Sequence, residues 1–582
     1  MKKLILVLAL LLSACLPVSP LLATPTAVLR VPAQYGTIQA AINAVKAGQE
    51  ILVASGTYNE DLTLKTNGPI TLQCEGSCTV NSGSARTLMT SGNVGYWVID
   101  GFRFVSTFSG SSDPMTATVN FSYNYWGDGD TKERGNDGFV LRNCYVEGAV
   151  YFYGSDNLVE NCELNGRGTY YNGLTERSQP SENNIFRNNV IHDYRERGGW
   201  SLQMTHDTLW RENTIYNIGS NSGIDCDGAG SAVYGCNLIG NVIHNVTGGV
   251  GGFLLENSFN SLVEGNTVYS SSGGIAAINY NKINSDGFRS DADYQGLVTN
   301  TIIKNNVFYN LSGAGLDCHA VRGNQFVNNT IYKGAGYGAL SFQTYNGYAC
   351  PVWIVKNNIV AQSPKTMFLV GNPEIDISNN FYDVFTATVY NSGNKTFAQW
   401  QALGHDVNSK VGNVLFVDPA IGDFRLQPDS PACGYGALPC IDGSATPTQT
   451  PTSTATQTLT FTPTNTPTRM PTATPTTIPT EMPQVSICVY VTWNRGLNLR
   501  PGATMHNYSI ISDDGKFAVN ISKGTLLRVE EVIENIEGRW AKFNPWAYFA
   551  MWLKSNNQTY AVPVECPSDV GKVKIQGVAS GR

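Results

Sequence analysis

Residues 187–192 read Arg-Asn-Asn-Val-Ile-His, residues 264–269 read Glu-Gly-Asn-Thr-Val-Tyr, and residues 304–309 read Lys-Asn-Asn-Val-Phe-Tyr. The shared pattern, an Asn followed by two apolar residues and often by Tyr or His, returns every 18 to 29 residues, with one interval of 40. Such repetition is typical of a solenoid, whose repeats bury their apolar faces only by stacking. The repeated residues are Asn143, Asn161, Asn189, Asn213, Asn241, Asn266, Asn306, Asn329, Asn358 and Asn380.

The repeats predict strands rather than helices. Each holds short alternating runs rich in Val, Ile, Thr and Tyr, and no window carries an apolar stripe with a period of 3.6 residues. Asn suits a corner because it tolerates left-handed backbone and because its amide can hydrogen-bond to the equivalent Asn one coil away. Leucine-rich repeats also use a corner Asn, but the Leu skeleton they need is missing. We therefore predict an all-β fold, a right-handed parallel β-helix.

Composition and the N-terminus predict an exported protein. A net charge of −7 argues against a nucleic-acid partner. Residues 1–23 resemble an export signal, with two Lys residues before an apolar run too short to cross a bilayer. The run ends in Leu-Ser-Ala-Cys15, which resembles a bacterial lipobox and predicts a lipid anchor on Cys15 in the membrane. Cleavage after Ala23 is the alternative, and both place the protein at the cell envelope or outside the cell.

Removal of Cys15 leaves an even twelve of the 13 cysteines, which predicts disulfides. No cysteine or histidine cluster has the spacing of a zinc site. Cys144 and Cys162 directly follow the corner Asn of successive coils, so we expect them to stack about 4.8 Å apart, within disulfide reach. The other predicted pairs are Cys74 with Cys78, Cys433 with Cys440, and Cys488 with Cys566.

A short helix is predicted at the start of the solenoid. Thr37 is a good N-cap, the residues from Ile38 to Val45 contain one apolar face, and Gly48 ends the helix. This helix would cover the open end of the stack, whose edge strands otherwise invite aggregation.

The stretch from Thr37-Ile-Gln to Gly56-Thr-Tyr resembles the opening of proteins of the pectin-lyase-like superfamily. The stretch from Asp418-Pro to Asp429-Ser-Pro-Ala resembles their closing segment. The resemblance covers residues 31–440 and implies the right-handed parallel β-helix fold.

The composition of the chain changes after the predicted solenoid domain at 24–443. Residues 444–483 are rich in Thr and Pro, which predicts a stiff, extended linker. Residues 484–568 contain Gly-Leu-Asn-Leu-Arg-Pro-Gly and Arg-Trp-Ala-Lys-Phe, which resemble a bacterial SH3-like barrel, and a tail spans 569–582. Such modules often bind cell-wall peptide or glycan, so the resemblance implies peptidoglycan as a partner. A role as a spacer is the alternative.

Chemistry is expected on the outside of the coils, on the strand that follows each corner segment. Alternation there predicts an inward set and an outward set of side chains. The inward set is Leu202, Cys226, Leu255, Ile278, Cys318 and Phe342. The outward set is Gln203, Asp227, Glu256, Asn279, His319 and Gln343, with Asp225 and Asp317 two residues earlier on the same face. The pectin-lyase-like resemblance implies that this face lines a polysaccharide groove.

The acidic residues of this face and His319 are the candidate catalytic residues, and Gln203, Asn279 and Gln343 are candidates for substrate binding. Asp227 and Glu256 are expected about 5 Å apart, so repulsion should raise the pKa of one of them. The pair suits a general acid and a nucleophile, as in retaining glycosidases, or a calcium ion bound through oxygen ligands. The alternative is that these acids are ordinary solvated surface residues.

An insertion at residues 280–299 follows the Asn279 strand and is expected to overhang the groove. Its Lys282 and Arg289 are candidates for substrate binding or for removing the proton beside a uronate carboxylate. The segment Asp286-Gly-Phe-Arg289 resembles the Asp-Gly-Phe-Lys segment of calcium-dependent lyases, with Arg in place of the Lys base. The double-Asp calcium motif of those lyases is not evident, so their catalytic roles are not carried over.

A second outward column follows the corner Asn by three residues and contains His192, Tyr216, His244, Tyr269, Tyr309 and Tyr332. Aromatic columns bind sugars, but stacked rings also stabilise sheets by packing, and we favour the structural interpretation. His206 and His319 lack a Ser or Cys nucleophile nearby in the pattern, which argues against a catalytic triad.

Two classes of function remain. The first is an extracellular enzyme, a polysaccharide lyase or glycosidase, acting on an acidic or cell-wall glycan with no certain cofactor. The second is a non-catalytic surface protein that binds glycan or serves as a scaffold at the envelope.

Overall fold

The computed structural model describes residues 28–106, 117–121, 136–177, 181–202, 205–228, 233–278, 300–344, 349–370 and 374–441, together with strands between residues 487 and 565. The chain divides into two compact units, residues 1–452 and 453–582. In the first unit, successive coils pair in register through parallel strands, which confirms the predicted all-β parallel β-helix.

The largest sheet has 25 strands and contains the Asn corners. Most coils contribute two strands to it, one on either side of the corner. These strands are Val28–Val31, Glu50–Tyr58, Ile70–Ser82, Trp97–Ser106, Val140–Arg142, Tyr145–Glu147, Leu158–Glu160, Glu163–Asn165, Ile185–Arg187, Val190–Tyr194, Leu209–Arg211, Thr214–Ile218, Asn237–Ile239, Val242–Val246, Leu262–Glu264, Thr267–Tyr269, Ile302–Lys304, Val307–Tyr309, Gln325–Val327, Thr330–Tyr332, Ile354–Lys356, Ile359–Ala361, Asp376–Ser378, Phe381–Tyr382 and Lys410–Val411.

A second sheet of 14 strands, hereafter the site sheet, contains the candidate catalytic residues. Its strands are Leu62–Leu64, Leu88–Thr90, Val119–Phe121, Val150–Phe152, Asn172–Arg177, Arg197–Leu202, Ser222–Asp227, Gly251–Glu256, Ile275–Ile278, Leu316–His319, Leu340–Gln343, Met367–Leu369, Ala387–Val389 and Gly393–Lys395. All pair in parallel except the last, which is antiparallel to its neighbour. A third sheet has four short strands, Ser181–Glu182, Thr205–His206, Val233–Tyr234 and Ser258–Phe259.

The corner Asn residues form a continuous hydrogen-bonded ladder. Asn213 donates through its backbone N–H and its Nδ2 to Asn241 Oδ1, at 3.0 and 2.9 Å, and Nδ2 also reaches the Phe186 carbonyl at 2.8 Å. Asn241 continues the pattern to Asn266 at 2.8 and 3.0 Å. The predicted bonding from one Asn amide to the next is therefore confirmed, and it satisfies polar groups that are buried.

The left-handed backbone lies one residue before the ladder, which corrects the expectation that the ladder Asn adopts it. Asn188 and Asn305 have φ of 55° and 57° and precede ladder residues. Asn143 and Asn161, at 54° and 53°, are left-handed residues of this kind, so the sequence alignment is one residue off in their two coils. The ladder positions there are taken by cysteines.

The predicted disulfide between Cys144 and Cys162 is wrong, because both are buried free thiols. The Cys144 N–H donates to Cys162 Sγ at 3.4 Å, and the Cys162 N–H donates to Asn189 Oδ1 at 3.0 Å. The sulfur of Cys162 thus replaces the amide oxygen as the acceptor in the ladder. Burial raises its pKa well above the ordinary value of a thiol.

Four disulfides occur among the described residues. Cys74–Cys78 and Cys433–Cys440 confirm the prediction, whereas Cys226–Cys236 and Cys318–Cys350 were not predicted. Each of the latter two ties an inward residue of the site sheet to another part of the chain. The side chain of Cys488 and residue 566 lie outside the described residues.

Both ends of the β-helix are covered. The predicted N-terminal helix spans Ile38–Ala44, and Thr37 Oγ1 accepts the Ala40 N–H at 3.0 Å. At the other end, the helix Phe397–Ala402 begins with a capping box at Thr396, and a hairpin joins Phe416–Asp418 to Asp423–Leu426. These caps shield the terminal coils from edge pairing.

The C-terminal unit is described only as antiparallel strands, and the SH3-like assignment of 484–568 stays a prediction. The signal at 1–23, with Cys15, and the linker at 444–483 lie outside the described residues. Among the helices that the structure describes, none has the length and apolar character needed to span a bilayer. The strands of this unit are Ile487–Val491, Leu497–Asn498, Asn520–Ile521, Leu526–Val529, Glu531–Glu534, Gly538–Asn544, Ala547–Leu553, Gln558–Thr559 and Ala561–Glu565.

Candidate active site on the outer face of the site sheet

The register of the site sheet defines two outward columns and one inward column between them. The first outward column is Trp200, Asp225, Leu254, Ala276, Asp317, Ser341 and Phe368. The inward column is Ser201, Cys226, Leu255, Ala277, Cys318 and Phe342. The second outward column is Leu202, Asp227, Glu256, Ile278, His319 and Gln343.

Two of the predicted inward residues, Leu202 and Ile278, lie in the outward column instead. The inward positions of their strands are taken by Ser201, whose hydroxyl accepts the Trp210 indole N–H at 2.9 Å, and by Ala277. Ile278 packs outside the lumen with its strand neighbours in a separate apolar cluster. The predicted outward residues Gln203 and Asn279 lie outside the described residues, as do Lys282 and Arg289.

Three carboxyl groups meet on the outer face, and we call Asp225, Asp227 and Glu256 the acid cluster. Asp227 and Glu256 are paired across neighbouring strands, and Asp225 lies two residues before Asp227. They are 0%, 6% and 9% exposed, so the alternative that these acids are ordinary solvated surface residues is wrong. Burial of like charges at this spacing is costly unless one of them takes up a proton.

Two residues of the preceding strand hold the acid cluster. Arg197 Nε donates to Asp225 Oδ2 at 2.6 Å, and the Trp200 indole N–H donates to Asp227 Oδ2 at 3.1 Å. The Arg197 guanidinium lies 4.5 Å above the Trp200 ring. Between them, a Cβ on Gly199 would lie 2.4 Å from the Trp210 ring, so only glycine lets the strand pass here. Sequence reasoning missed Arg197 and Trp200.

One carboxyl oxygen of the acid cluster, Asp225 Oδ1, is buried without a hydrogen-bond partner among the described residues. Burial, followed by the Asp227 charge, raises the pKa of Asp225 to about 7, although Arg197 opposes the shift. Burial and the charges of Asp227 and Asp225 raise the pKa of Glu256 to about 8. Glu256 is therefore protonated at neutral pH and is able to donate a proton.

The remaining candidates form a second group, the polar triad of Asp317, His319 and Gln343. His319 Nε2 lies 3.0 Å from Asp317 Oδ2, and Gln343 Nε2 donates to Asp317 Oδ1 at 2.9 Å. The apolar outward residues of the strand Ile275–Ile278 separate the triad from the acid cluster. The single predicted stripe is therefore two groups, with Glu256 and His319 two strand spacings, about 10 Å, apart.

The aromatic column lies on the 25-stranded sheet that contains the Asn corners, which we call the corner sheet, and not on the site sheet. The rings from His192 to Tyr309 stack with centroids 4.8 to 5.1 Å apart and planes within 15° of parallel. Tyr309 and Tyr332 pack against Phe424 of the C-terminal hairpin. The ring faces are occupied by one another, which fits a structural role. His206 packs similarly on Tyr234, with ring centroids 5.0 Å apart.

Calcium was the cofactor considered from the sequence. In the part of the chain that the structure describes, no group of three or more His, Cys, Asp and Glu side chains is arranged to hold a metal ion. The acid cluster therefore has oxygen donors of the kind that calcium prefers, but not the arrangement of a metal site.

A family model described as a right handed beta helix region matches residues 133–289. No curated protein matches the chain. Similar solved structures include the A-module of a mannuronan C-5 epimerase from Azotobacter vinelandii, with 10% identity, a TM-score of 0.29, and coverage of 65% of this chain and 91% of that one. They also include an α-1,3-glucanase from Streptomyces thermodiastaticus, with 13% identity, a TM-score of 0.37, and coverage of 67% and 68%. A surface adhesin of Streptococcus pneumoniae has 10% identity, a TM-score of 0.33, and coverage of 64% and 94%.

The family-model match covers the coils that carry the acid cluster, and the parallel strands continue in register on both sides of it. The first unit of the chain has the right-handed parallel β-helix fold, and residues 133–289 match the family model for that fold.

Proposed function

We propose that this protein is an exported glycosidase that cleaves a neutral polysaccharide at the acid cluster. The observation that carries the proposal is the pairing of Glu256, whose pKa is raised to about 8, with Asp227 on the neighbouring strand. A protonated and an ionised carboxyl group side by side are what acid-assisted cleavage of a glycosidic bond requires.

Glu256 is the general acid in this proposal, and Asp227 is the nucleophile. Glu256 gives its proton to the glycosidic oxygen as the bond to the anomeric carbon breaks, and Asp227 forms an ester with that carbon. Water then attacks the ester, returns a proton to Glu256 and releases the sugar with Asp227 regenerated. The strand spacing of ~4.8 Å suits the ~5–5.5 Å between the carboxyl groups of retaining glycosidases.

Asp225, Arg197 and Trp200 are positioning residues. The Trp200 N–H donates to Asp227 Oδ2 and so fixes the orientation of the Asp227 carboxylate. The Asp225 charge helps to keep the proton on Glu256, and Arg197 limits the repulsion between the two aspartates.

The charge balance of the cluster favours a neutral glycan over an acidic one. Among the described residues, the three carboxyl groups face one cation, Arg197, which is already paired with Asp225 and Glu196. A uronate chain would bring further negative charge into a buried, acidic site. A lyase also needs a base for the proton beside the uronate carboxylate, and Arg197 is not available for that role.

Export and anchoring are part of the proposal. The four disulfides of the β-helix are typical of an oxidising compartment. We further propose that a lipid on Cys15 and the SH3-like module, through peptidoglycan, hold the enzyme at the cell envelope. Replacement of Cys15 by Ser should then move the protein from the membrane fraction to the soluble fraction, and retention in the membrane fraction would contradict the anchor.

The test of catalysis is an assay of new reducing ends on starch, cellulose, curdlan, xylan and mannan, with pectin and alginate as acidic substrates. We expect release from a neutral glycan, and at least a 100-fold loss in Glu256→Gln and in Asp227→Asn. Glu264→Gln is the matched control, since Glu264 pairs with Lys304 on the other sheet, and it should keep full activity.

Other outcomes separate the alternatives. Full activity in the double variant Asp227→Asn with Glu256→Gln, with the fold intact by circular dichroism, would show that the acid cluster is not the site. Unsaturated products from pectin or alginate would identify a lyase. Retention of a glycan on affinity gels without any cleavage would identify a binding protein.

A further inference from the structure

Two aromatic rings lie together on the outer face, at a distance from the acid cluster. Tyr337 and Phe368 stack with their ring centroids 5.0 Å apart and their planes at 25°. Phe368 belongs to the first outward column, and Tyr337 comes from the turn before the strand Leu340–Gln343. Tyr337 is 60% exposed although it is a large aromatic residue, so its burial does not explain its presence.

The pair differs from the aromatic column of the corner sheet. In that column each ring face is covered by the next ring, and the last rings are covered by Phe424. Tyr337 packs on Phe368 by one face and presents the rest of its ring to solvent. The C–H groups on one face of a hexose pack well on such a ring, because they meet the negative face of the π system while the hydroxyls stay in water.

The register places this pair in line with the acid cluster. Leu254, which belongs to the Glu256 strand, is followed along the column by Ala276, Asp317, Ser341 and Phe368. Four strand spacings of ~4.8 Å give about 19 Å, which is the length of roughly four hexose units. The polar triad lies between the two and offers hydrogen bonds for sugar hydroxyls.

We propose that Tyr337 and Phe368 form a sugar-binding platform that holds a hexose of the neutral glycan about four units from the cleaved bond. The inference rests on the proposed function for the position of that bond, but not for the binding of sugar. The bound glycan then runs along the β-helix axis, and the enzyme prefers long substrates.

The experiment uses the full-length chain and the variants Tyr337→Ala and Tyr337→Phe. Tyr96→Ala is the matched control, since Tyr96 is 57% exposed and directly precedes the strand Trp97–Ser106 of the 25-stranded sheet, where its ring lies near Gly138. We expect Tyr337→Ala to raise KM about 10-fold on long chains, equivalent to ~1.4 kcal/mol, and to leave kcat unchanged. Oligosaccharides of two or three units should show no effect, because they do not reach the platform. Tyr337→Phe keeps the ring and should behave as the wild type.

Binding is measured separately by affinity electrophoresis with the same neutral glycans, in a Glu256→Gln background that cannot cleave them. Retention that is weakened by Tyr337→Ala and by Phe368→Ala, but not by Tyr96→Ala, supports the platform even where no cleavage is detected. If Glu256→Gln abolishes cleavage but Tyr337→Ala does not change KM at any chain length, the platform is wrong and the proposed function is still supported. A wild-type protein that is retained by no neutral glycan would also overturn it.

Discussion

The Asn ladder and the acid cluster are both buried columns of polar side chains on neighbouring coils, yet stacking has opposite effects on them. Each Asn amide is at once donor and acceptor, so Asn241 and Asn266 satisfy each other and the backbone around them. Ionised carboxylates only accept hydrogen bonds, so the acid cluster cannot form such a ladder. Burial and the charges of Asp227 and Asp225 instead favour a proton on Glu256, and Asp225 Oδ1 has no partner among the described residues. A buried column of identical polar groups is stable only where each group is both a hydrogen-bond donor and an acceptor. The acid cluster therefore lowers the stability of the fold, and a function at this site would explain why it is present.

The largest effect is expected from placing a carboxylate in the ladder. Asn266→Asp keeps the size of the side chain but removes the Nδ2 donor to Asn306 Oδ1 and to the Leu238 carbonyl. We expect a loss of about 3–5 kcal/mol in the free energy of unfolding at neutral pH, since a buried charge is left facing acceptors. Chemical denaturation measures it, with the exposed Asn59→Asp as control. A loss below about 1 kcal/mol would show that the ladder does not require self-complementary groups.

The converse change, replacing the Glu256 carboxyl group of the acid cluster by an amide, should stabilise the protein at alkaline pH. The pKa of Glu256 is raised from 4.5 in the unfolded chain to about 8 in the fold, so the stability it contributes is complete below pH 4.5 and is lost as pH rises through 8. Glu256→Gln removes this loss. We expect the free energy of unfolding of the variant to exceed that of the wild type by on the order of 3 kcal/mol at pH 9, and the difference to become smaller toward pH 5. Thermal unfolding across this pH range measures it. A gap that is constant with pH would mean that the Glu256 carboxyl group does not titrate in this window.

The smallest effect concerns the coils where the ladder is built from sulfur. Cys162→Asn would replace the weak acceptor of the Cys144 N–H by an amide oxygen and extend the ladder by one member. We expect a gain of about 0.5–1 kcal/mol in the free energy of unfolding, and no effect of thiol-blocking reagents on the folded wild type. Cys162→Ala, which removes the acceptor, should lose stability instead. If the Asn variant is less stable than the Ala variant, space in the lumen rather than hydrogen bonding decides this position.

The repeat pattern was sufficient to predict the β-helix and the Asn ladder, because both depend on residues that recur at visible positions. The N-terminal helix was predictable from its N-cap Thr37 and its one apolar face. The register of the site sheet failed in two strands because their inward residues, Ser201 and Ala277, are small while the next residues are large and apolar. A column of glycines would have given the right register, since the inward residue lies three positions after each of Gly198, Gly223, Gly252, Gly274 and Gly315.

That glycine column has a physical cause. A Cβ on Gly252 would lie 2.6 Å from the Gly274 carbonyl oxygen, and one on Gly274 would lie 2.4 Å from the Gly315 carbonyl oxygen. The burial of the acid cluster and its pairing with Arg197 were not predictable in the same way, because alternation tells which face a side chain is on but not what surrounds it. The disulfides Cys226–Cys236 and Cys318–Cys350 join different parts of the coil, so sequence proximity did not reveal them.

The role of Glu256 as proton donor is tested by the pH dependence of kcat/KM on the neutral glycan that the wild type cleaves. If protonated Glu256 is the proton donor, activity must fall on the alkaline side with an apparent pKa near 8, the value that burial and two neighbouring carboxylates impose on this group. Activity that falls already near pH 4.5, or that persists undiminished well above pH 9, would contradict a proton held on Glu256.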